Sequence, residues 1–322
     1  MLPPRDQLTI CFAHVAYGFQ DLFTARATGM RSFQVWNRED FAARIPEADV
    51  VVVSGFWNND LLATAAKLRF VQSISAGTDQ YDQARFRGAG VRLASAAGGN
   101  ARAVSEHAMA LILALARRLP EARDNQHKAH WRGMIGDLTR REDELGGKTV
   151  LIVGLGRIGG RLAQLCRAFD MTVIGVRQNP AAGANGADEV HSLDALPALL
   201  PRADIVALTC PLTPTTEGLM NAAAFGLMRK SAYLINCARG RVVDEAALVM
   251  ALRSGAIAAA GIDVTVQEPL AAESALWALP NTLITPHSAG ETRRYEANVL
   301  DMLTENLERL WRGETALLNQ MV

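Results

Sequence analysis

The chain carries no excess of charge of either sign. Its 322 residues hold 33 Lys and Arg against 33 Asp and Glu, for a formal net charge of zero. No run of basic residues restores a positive field locally, so the footprint of a nucleic-acid binder is missing. Long apolar stretches are missing as well: Ala108–Ala116, the longest, is roughly half of the ~20 residues a membrane span needs. The opening MLPPRDQLTI lacks the basic and then apolar regions of a secretory leader. Cysteine is scarce, and Cys11, Cys166, Cys210 and Cys237 lie far apart without metal-type spacing. They read as reduced thiols in apolar segments, which implies a cytoplasmic protein without a metal site. What is present, 49% hydrophobic and 20% charged residues, suits a folded chain rather than a disordered one. The length is about twice that of a usual domain, so two domains are expected.

Short β-branched apolar runs alternate with helical stretches almost throughout. Five precede residue 97: Leu8–His14, Phe33–Trp36, Val50–Ser54, Phe70–Ser75 and Val91–Ala96. Six follow residue 148: Thr149–Gly154, Thr172–Val176, Asp204–Thr209, Ala232–Cys237, Ala258–Asp263 and Thr282–Pro286. The runs are apolar continuously rather than alternately, as in strands covered on both faces. Two α/β units with parallel sheets are therefore expected. Between them Ala101–Leu119 reads as a helix capped by Asn100, ended by Pro120 and apolar enough to need burial at a domain or subunit interface. Glu121–Glu144 is polar and irregular, in the manner of an arm that wraps a partner. A second long helix, Arg293–Arg312, follows the last strand and is expected to cross back to the first unit, making that unit discontinuous. The boundaries so predicted are 1–98 with 291–322, and 99–290.

The run Thr149–Val153 leads into Gly154-Leu155-Gly156-Arg157-Ile158-Gly159-Gly160 and then a helical stretch. Such a Gly-x-Gly-x-x-Gly pattern is specific when it follows a strand and opens a helix in a β-α-β unit of about thirty residues. Gly154 then permits the turn, Gly156 lets backbone approach a pyrophosphate, and Gly159 allows close helix–strand packing. The N-H groups from Arg157 and Ile158 onward would face the phosphates. An NAD site would end the second strand in an acid; here Arg177-Gln178-Asn179 follows Val176. Arginine binds phosphate through charge-assisted bonds, so NADP(H) is favoured over NAD(H).

Four later segments end strands at the carboxyl edge of this sheet, where doubly wound folds bind ligands. They are Thr209-Cys210-Pro211-Leu212-Thr213, Asn236-Cys237-Ala238-Arg239-Gly240, Gly261-Ile262-Asp263-Val264 continuing to Glu268-Pro269, and Thr285-Pro286-His287-Ser288-Ala289-Gly290. Singly, Arg239 reads as a salt bridge, Glu268 as a helix cap and His287 as a loop histidine. Their convergence beside a nucleotide loop points to chemistry.

In these motifs the chain resembles the D-isomer-specific 2-hydroxyacid dehydrogenase family, which includes glyoxylate/hydroxypyruvate reductases and phosphoglycerate dehydrogenases. The likeness spans nearly the whole chain and also takes in Ser75-Ala76-Gly77-Thr78-Asp79 and Asn100 through His107. It implies a Rossmann cofactor domain and a discontinuous flavodoxin-like substrate domain, both doubly wound, in a homodimer. It implies further that Arg239, Glu268 and His287 are catalytic. Reducing a 2-oxo acid puts a hydride on the carbonyl carbon and a proton on its oxygen. His287 would donate that proton, or accept it in reverse. Glu268 would orient the imidazole and complement its positive charge. Arg239 would bind the substrate carboxylate. Backbone N-H groups of Ala76 and Gly77, in the other domain, would complete that carboxylate site as the cleft closes. Asp263 and the Cys237 backbone would anchor the nicotinamide carboxamide, Val104 would pack near the ring, and Cys210 and Pro211 would line the cofactor. Glu106 and His107 read as structural. Cys210 and Ser288 depart from the family's commonest pattern, where histidine and isoleucine are frequent.

The reaction so implied is NADPH-dependent reduction of a small 2-oxo acid such as glyoxylate or hydroxypyruvate to the D-2-hydroxy acid. Phe56 and Trp57 are candidates to line the pocket and to admit a larger acid, and Trp131 is a candidate to reach a neighbouring subunit, although packing within the arm is the simpler reading. A formate or phosphite dehydrogenase is weighed against, since formate enzymes carry glutamine where Glu268 stands. A non-enzymatic dinucleotide-sensing protein of the corepressor type is the alternative from another class. Charge balance argues against nucleic acid and membrane as partners.

Overall fold

A computed structural model describes residues 2–322. The chain divides into two compact units, one running up to Asn100 and resuming at Glu291–Val322, the other Ala101–Gly290.

The first unit is built on β1 (Thr9–Ala13), β2 (Arg31–Val35), β3 (Val50–Val53), β4 (Phe70–Ser73) and β5 (Arg92–Ala94). All pairs are parallel, in the order β2-β1-β3-β4-β5, the flavodoxin-like winding. Its strands alternate between two cores. Ile10, Phe12, Val50 and Val52 face one, with Phe19 and Phe23; Cys11, Ala13, Val51 and Val53 face the other, with Phe41 and Phe86. Both faces being covered is why these strands read as unbroken apolar runs. The helix Tyr295–Trp311 buries Val299, Leu300, Leu303 and Leu307 in the first core. Buried Asn306 on that helix donates to the Gln72 side chain at 3.0 Å and accepts from the Leu318 amide at 2.7 Å. Both residues are fully buried, so the bond lets the returning chain join this core without stranding either amide.

The second unit carries β6 (Thr149–Val153), β7 (Thr172–Val176), β8 (Glu189–His191), β9 (Ile205–Leu208), β10 (Tyr233–Asn236), β11 (Ala259–Ile262) and β12 (Thr282–Ile284). They form one parallel sheet in the order β12-β11-β10-β9-β6-β7-β8, the Rossmann winding with one strand added. The chain order reverses between β6 and β9, which sets the ligand crevice beside the turn after β6. β8 corrects the six-strand expectation. It is three residues long, half-buried and begins with a glutamate, so an edge strand of this kind shows no apolar run.

The helix Ala101–Ala116 is shorter than expected. Its buried side chains Val104, Ala108, Leu111 and Ile112 pack with Ile152, Ala207 and Ile235 in the core of its own unit. Pro120 does not simply end it; the proline sits in the first turn of a new helix, Leu119–His127, where its missing N-H costs nothing. That helix takes up the start of the segment expected to be irregular. Asn100 is no cap: its Oδ1 has no hydrogen-bond partner. No helix among the described residues is long and apolar enough to cross a membrane.

Candidate active site

The turn after β6 is shaped by backbone contacts that exclude side chains. Gly154 has φ +104°, and a Cβ there would stand 2.4 Å from the Cys210 amide nitrogen. A Cβ at Gly159 would stand 2.4 Å from the Gly154 carbonyl oxygen. Gly156 differs: nothing lies within 4 Å of its absent Cβ. Its openness is toward space a ligand can enter, and it is also the N-cap of the helix Arg157–Ala168, to which it offers no capping side chain. A strand-to-helix turn with first-turn amides and an open glycine fits a dinucleotide pyrophosphate. Thr209, at the end of β9, donates to the Gly154 carbonyl at 2.9 Å and ties this turn to Cys210 and Pro211. Arg177 leaves β7 with its amide on the His191 carbonyl at 3.0 Å and Nη1 on the Gly183 carbonyl at 2.8 Å. The guanidinium thus closes its own loop at the position where an acid or a cation discriminates between the two nicotinamide cofactors.

Past β10, buried Asn236 folds the chain into a hook. Its Oδ1 accepts from the Ala238 amide at 3.0 Å and its Nδ2 donates to the Arg239 carbonyl at 3.2 Å. The hook presents half-buried Arg239, whose Nη1 donates to the Ala238 carbonyl at 2.9 Å. The next residue has to be glycine: a Cβ at Gly240 would sit 2.0 Å from the Thr265 carbonyl carbon. The segment bearing Glu268 therefore lies directly across the one bearing Arg239.

Past β11, Asp263 is 2% exposed, yet its carboxylate is well bonded. Oδ1 accepts from the Thr285 hydroxyl at 2.6 Å and the Ser288 amide at 3.0 Å, and Oδ2 accepts from the Ala289 amide at 3.0 Å. The Asp263 carbonyl accepts from the His287 amide at 2.8 Å. These bonds accompany a φ of +53° at His287, in the left-handed region uncommon for residues other than glycine. Its Nδ1 meets Glu268 Oε2 at 2.7 Å, while Oε1 of Glu268 accepts from the Thr265 amide at 3.1 Å. An ionised carboxylate only accepts, so Nδ1 bears the hydrogen and Nε2 is left for a substrate proton. Imidazole and carboxylate are both open to solvent, at 47% and 38%. Three strand ends thus bring a guanidinium and a hydrogen-bonded imidazole–carboxylate pair to the edge of the sheet that also carries the glycine turn.

Residues 109–289 match the family of D-isomer specific 2-hydroxyacid dehydrogenases in its NAD binding domain. A D-3-phosphoglycerate dehydrogenase of Archaeoglobus fulgidus is 32% identical over 282 residues, covering 86% of this chain and 52% of that protein. The chain thus spans about half the length of such relatives. Glyoxylate/hydroxypyruvate reductase B of Citrobacter koseri is 38% identical, covering 80% of this chain and 79% of that one. The crystal structure of an NADPH-dependent glyoxylate/hydroxypyruvate reductase of Sinorhizobium meliloti, in complex with NADP and malonate, superposes with a TM-score of 0.81 at 26% identity, covering 98% of this chain and 97% of that one. The chain belongs to the D-isomer specific 2-hydroxyacid dehydrogenase family.

The remaining site candidates of this family member divide sharply. Val104 is buried in the same core cluster as Cys237 and Ala289. Burial pushes the Cys210 thiol up to about 11 and raises that of Cys237 further, with the Asp263 charge adding to the latter, so neither is a thiolate near neutrality. In the first unit, Ala76 and Gly77 lie in the half-buried loop after β4, and their amides donate to no group among the described residues. Trp57 is not free to line a pocket. It is 6% exposed and packs on Tyr81 and Phe86 with centroids 5.7 and 5.1 Å away. Phe56 lies under the Arg38 guanidinium, 5.9 Å from its ring centre. Trp131 is 97% exposed, which overturns packing within its own arm. Two residues were given no part in the site by the sequence: Asn236, whose only signal is a polar residue closing an apolar strand, and His107, which reads there as structural. Its Nε2 stands 2.9 Å from the Thr285 hydroxyl. The available sign was a histidine at helical spacing within the apolar stripe Val104, Ala108, Leu111.

Proposed function

We propose that this chain is a reductase that takes a small 2-oxo acid, such as glyoxylate or hydroxypyruvate, to the D-2-hydroxy acid with NADPH. The observation that carries this reading is the Glu268–His287 pair at 2.7 Å on the strand edge that also presents Arg239. A bound nicotinamide cofactor supplies the hydride. Arg239 binds the substrate carboxylate bidentately and orients the carbonyl. His287 donates its Nε2 proton to the carbonyl oxygen as charge develops there, with Glu268 fixing the tautomer and stabilising the imidazolium. In the reverse direction Nε2 takes the proton from the hydroxyl. The amides of Ala76 and Gly77, which have no partner among the described residues, are further candidate donors to a carboxylate.

The turn residues Gly154, Gly156, Arg157, Ile158 and Gly159 hold the pyrophosphate, with Cys210 and Pro211 lining the cofactor. Asp263, Cys237 and Val104 serve its nicotinamide end. Arg177 selects NADPH by pairing with the 2′-phosphate, in line with the NADP complex of the Sinorhizobium protein. The unit that contains the turn is thereby the cofactor domain and the other the substrate domain. The exposed side chains of Trp131, Met134 and Leu138 favour a homodimer, and four buried, unpaired cysteines favour the cytoplasm.

Initial rates with glyoxylate, hydroxypyruvate and phenylpyruvate, each with NADPH and NADH, test the reading. Turnover is expected with NADPH preferred, and Arg177→Ser should cut that preference about tenfold to a hundredfold while NADH turnover persists. Turnover with NADH preferred removes the role of Arg177; no turnover with any pair removes the reaction.

A further inference from the structure

We propose that His107 is a positioning residue that holds the His287 loop through a relay of Thr285 and Asp263. The proposal rests on the reading of His287 as the acid/base. Asp263 is the hub, since its carboxylate and carbonyl together take bonds from residues 285, 287, 288 and 289. A buried carboxylate with these bonds is rigid only while its acceptors stay saturated by fixed donors. All four donors lie in the segment 285–289 that is being positioned, so through Asp263 that segment is tied only to the end of β11. His107 supplies the outside anchor. It stands half-buried beside Val104, Ala108 and Leu111 on the helix Ala101–Ala116, which packs on the sheet through Ile152, Ala207 and Ile235.

The proton directions in the relay follow from valence. A carboxylate only accepts, so the single hydroxyl hydrogen of Thr285 goes to Asp263 Oδ1 at 2.6 Å. Thr285 Oγ1 is then available to His107 only as an acceptor. The His107 Nε2 therefore bears a hydrogen and donates it at 2.9 Å, with Asp263 Oδ1 itself 3.5 Å away. The imidazole so polarises the hydroxyl toward the carboxylate, and the carboxylate fixes the amides of Ser288 and Ala289. This sequence of bonds gives the polar histidine in an apolar stripe a partner that an apolar side chain would lack.

The test compares the whole protein with its His107→Ala, His107→Gln and Thr285→Val variants. Alanine keeps the helix but removes the donor; glutamine restores an N-H near the place of Nε2; valine keeps the shape of threonine without its hydroxyl. Amide hydrogen exchange of peptides spanning 282–292 is read first, because it needs no turnover. Exchange about tenfold faster in the alanine and valine variants, with glutamine near wild type, is the expected result. In steady-state reduction of hydroxypyruvate, kcat should fall about tenfold in the same two variants, KM should stay within about threefold, and glutamine should recover most of kcat. Unchanged exchange in both His107→Ala and Thr285→Val overturns the relay whatever the activity. Faster exchange with unchanged kcat overturns its service to His287, as does equal loss in the glutamine and alanine variants. If the native chain reduces no 2-oxo acid while exchange responds as expected, the reaction assignment fails and the relay stands.

Discussion

Two strand-end regions are built on opposite principles. In the Rossmann-wound unit, the segments after β10, β11 and β12 are clamped by their own buried side chains: Asn236 grips the hook of Arg239, and Asp263 grips the loop of His287. Where they cross, Gly240 leaves room for the Thr265 backbone and for nothing else. The loop after β4 in the flavodoxin-wound unit is held instead by small hydroxyl and amide contacts, Ser54 with Ser75 at 2.6 Å and Gln80 with Ser54 at 3.0 Å. Its Ala76 and Gly77 amides have no partner among the described residues. Groups that move protons have to be rigid within fractions of an ångström. Backbone amides without a partner stay available to a ligand.

Breaking the clamped side should cost most. On the proposed reaction, His287→Ala is expected to lower kcat by about 10²–10⁴ while the dissociation constant of the nicotinamide cofactor, read by fluorescence titration, stays within about threefold. A comparable loss of cofactor affinity would show that the loop serves binding rather than proton transfer. Gly240→Ala forces a methyl group into the Thr265 backbone and should destabilise the second unit by about 3 kcal/mol, seen as a lower thermal midpoint. A midpoint unchanged within a degree would mean that the crossing segments yield easily.

On the open side the effect should be smaller and differently placed. Gly77→Pro deletes one amide donor and should raise KM for the 2-oxo acid about tenfold, with kcat less affected and stability within ~1 kcal/mol. A kcat defect at unchanged KM would assign this loop to positioning and erase the contrast. The least effect belongs to the thiols. With burial holding Cys210 at about 11 and Cys166 at about 12, both stay protonated until the pH approaches those values. Iodoacetamide at pH 8 should leave activity intact, and alkylation should appear by mass spectrometry only after denaturation.

Much of this architecture is legible in one dimension because it rests on local rules. Runs such as Val50–Val53 announce strands covered on both faces, and the spacing of Gly154, Gly156 and Gly159 announces a turn from which Cβ atoms are excluded. The return of the chain into the first unit is foreshadowed by an amphipathic helix without a strand to follow it. The illegible parts are those without a local signature. β8 is short and polar, so only its neighbour β7 makes it a strand. Pro120 reads equally as an end or a beginning, and the choice falls to packing. Trp57 and Trp131 are the same residue type in similarly polar contexts, yet one is 6% and the other 97% exposed.

By itself the sequence determined two units of parallel strands and the glycine turn, since backbone sterics and apolar periodicity act between near neighbours; Arg239, Glu268 and His287 became candidates through motifs shared with the dehydrogenase family. Only the tertiary structure decided what holds those side chains in place. Asp263 reaches Ser288 and Ala289 across 25 and 26 positions, and His107 reaches Thr285 across 178. Bonds over such separations exist only after β11, β12 and the helix of His107 have packed side by side. A hydrogen bond is short-ranged and directional, so its partners are set by the folded backbone and not by their order along the chain.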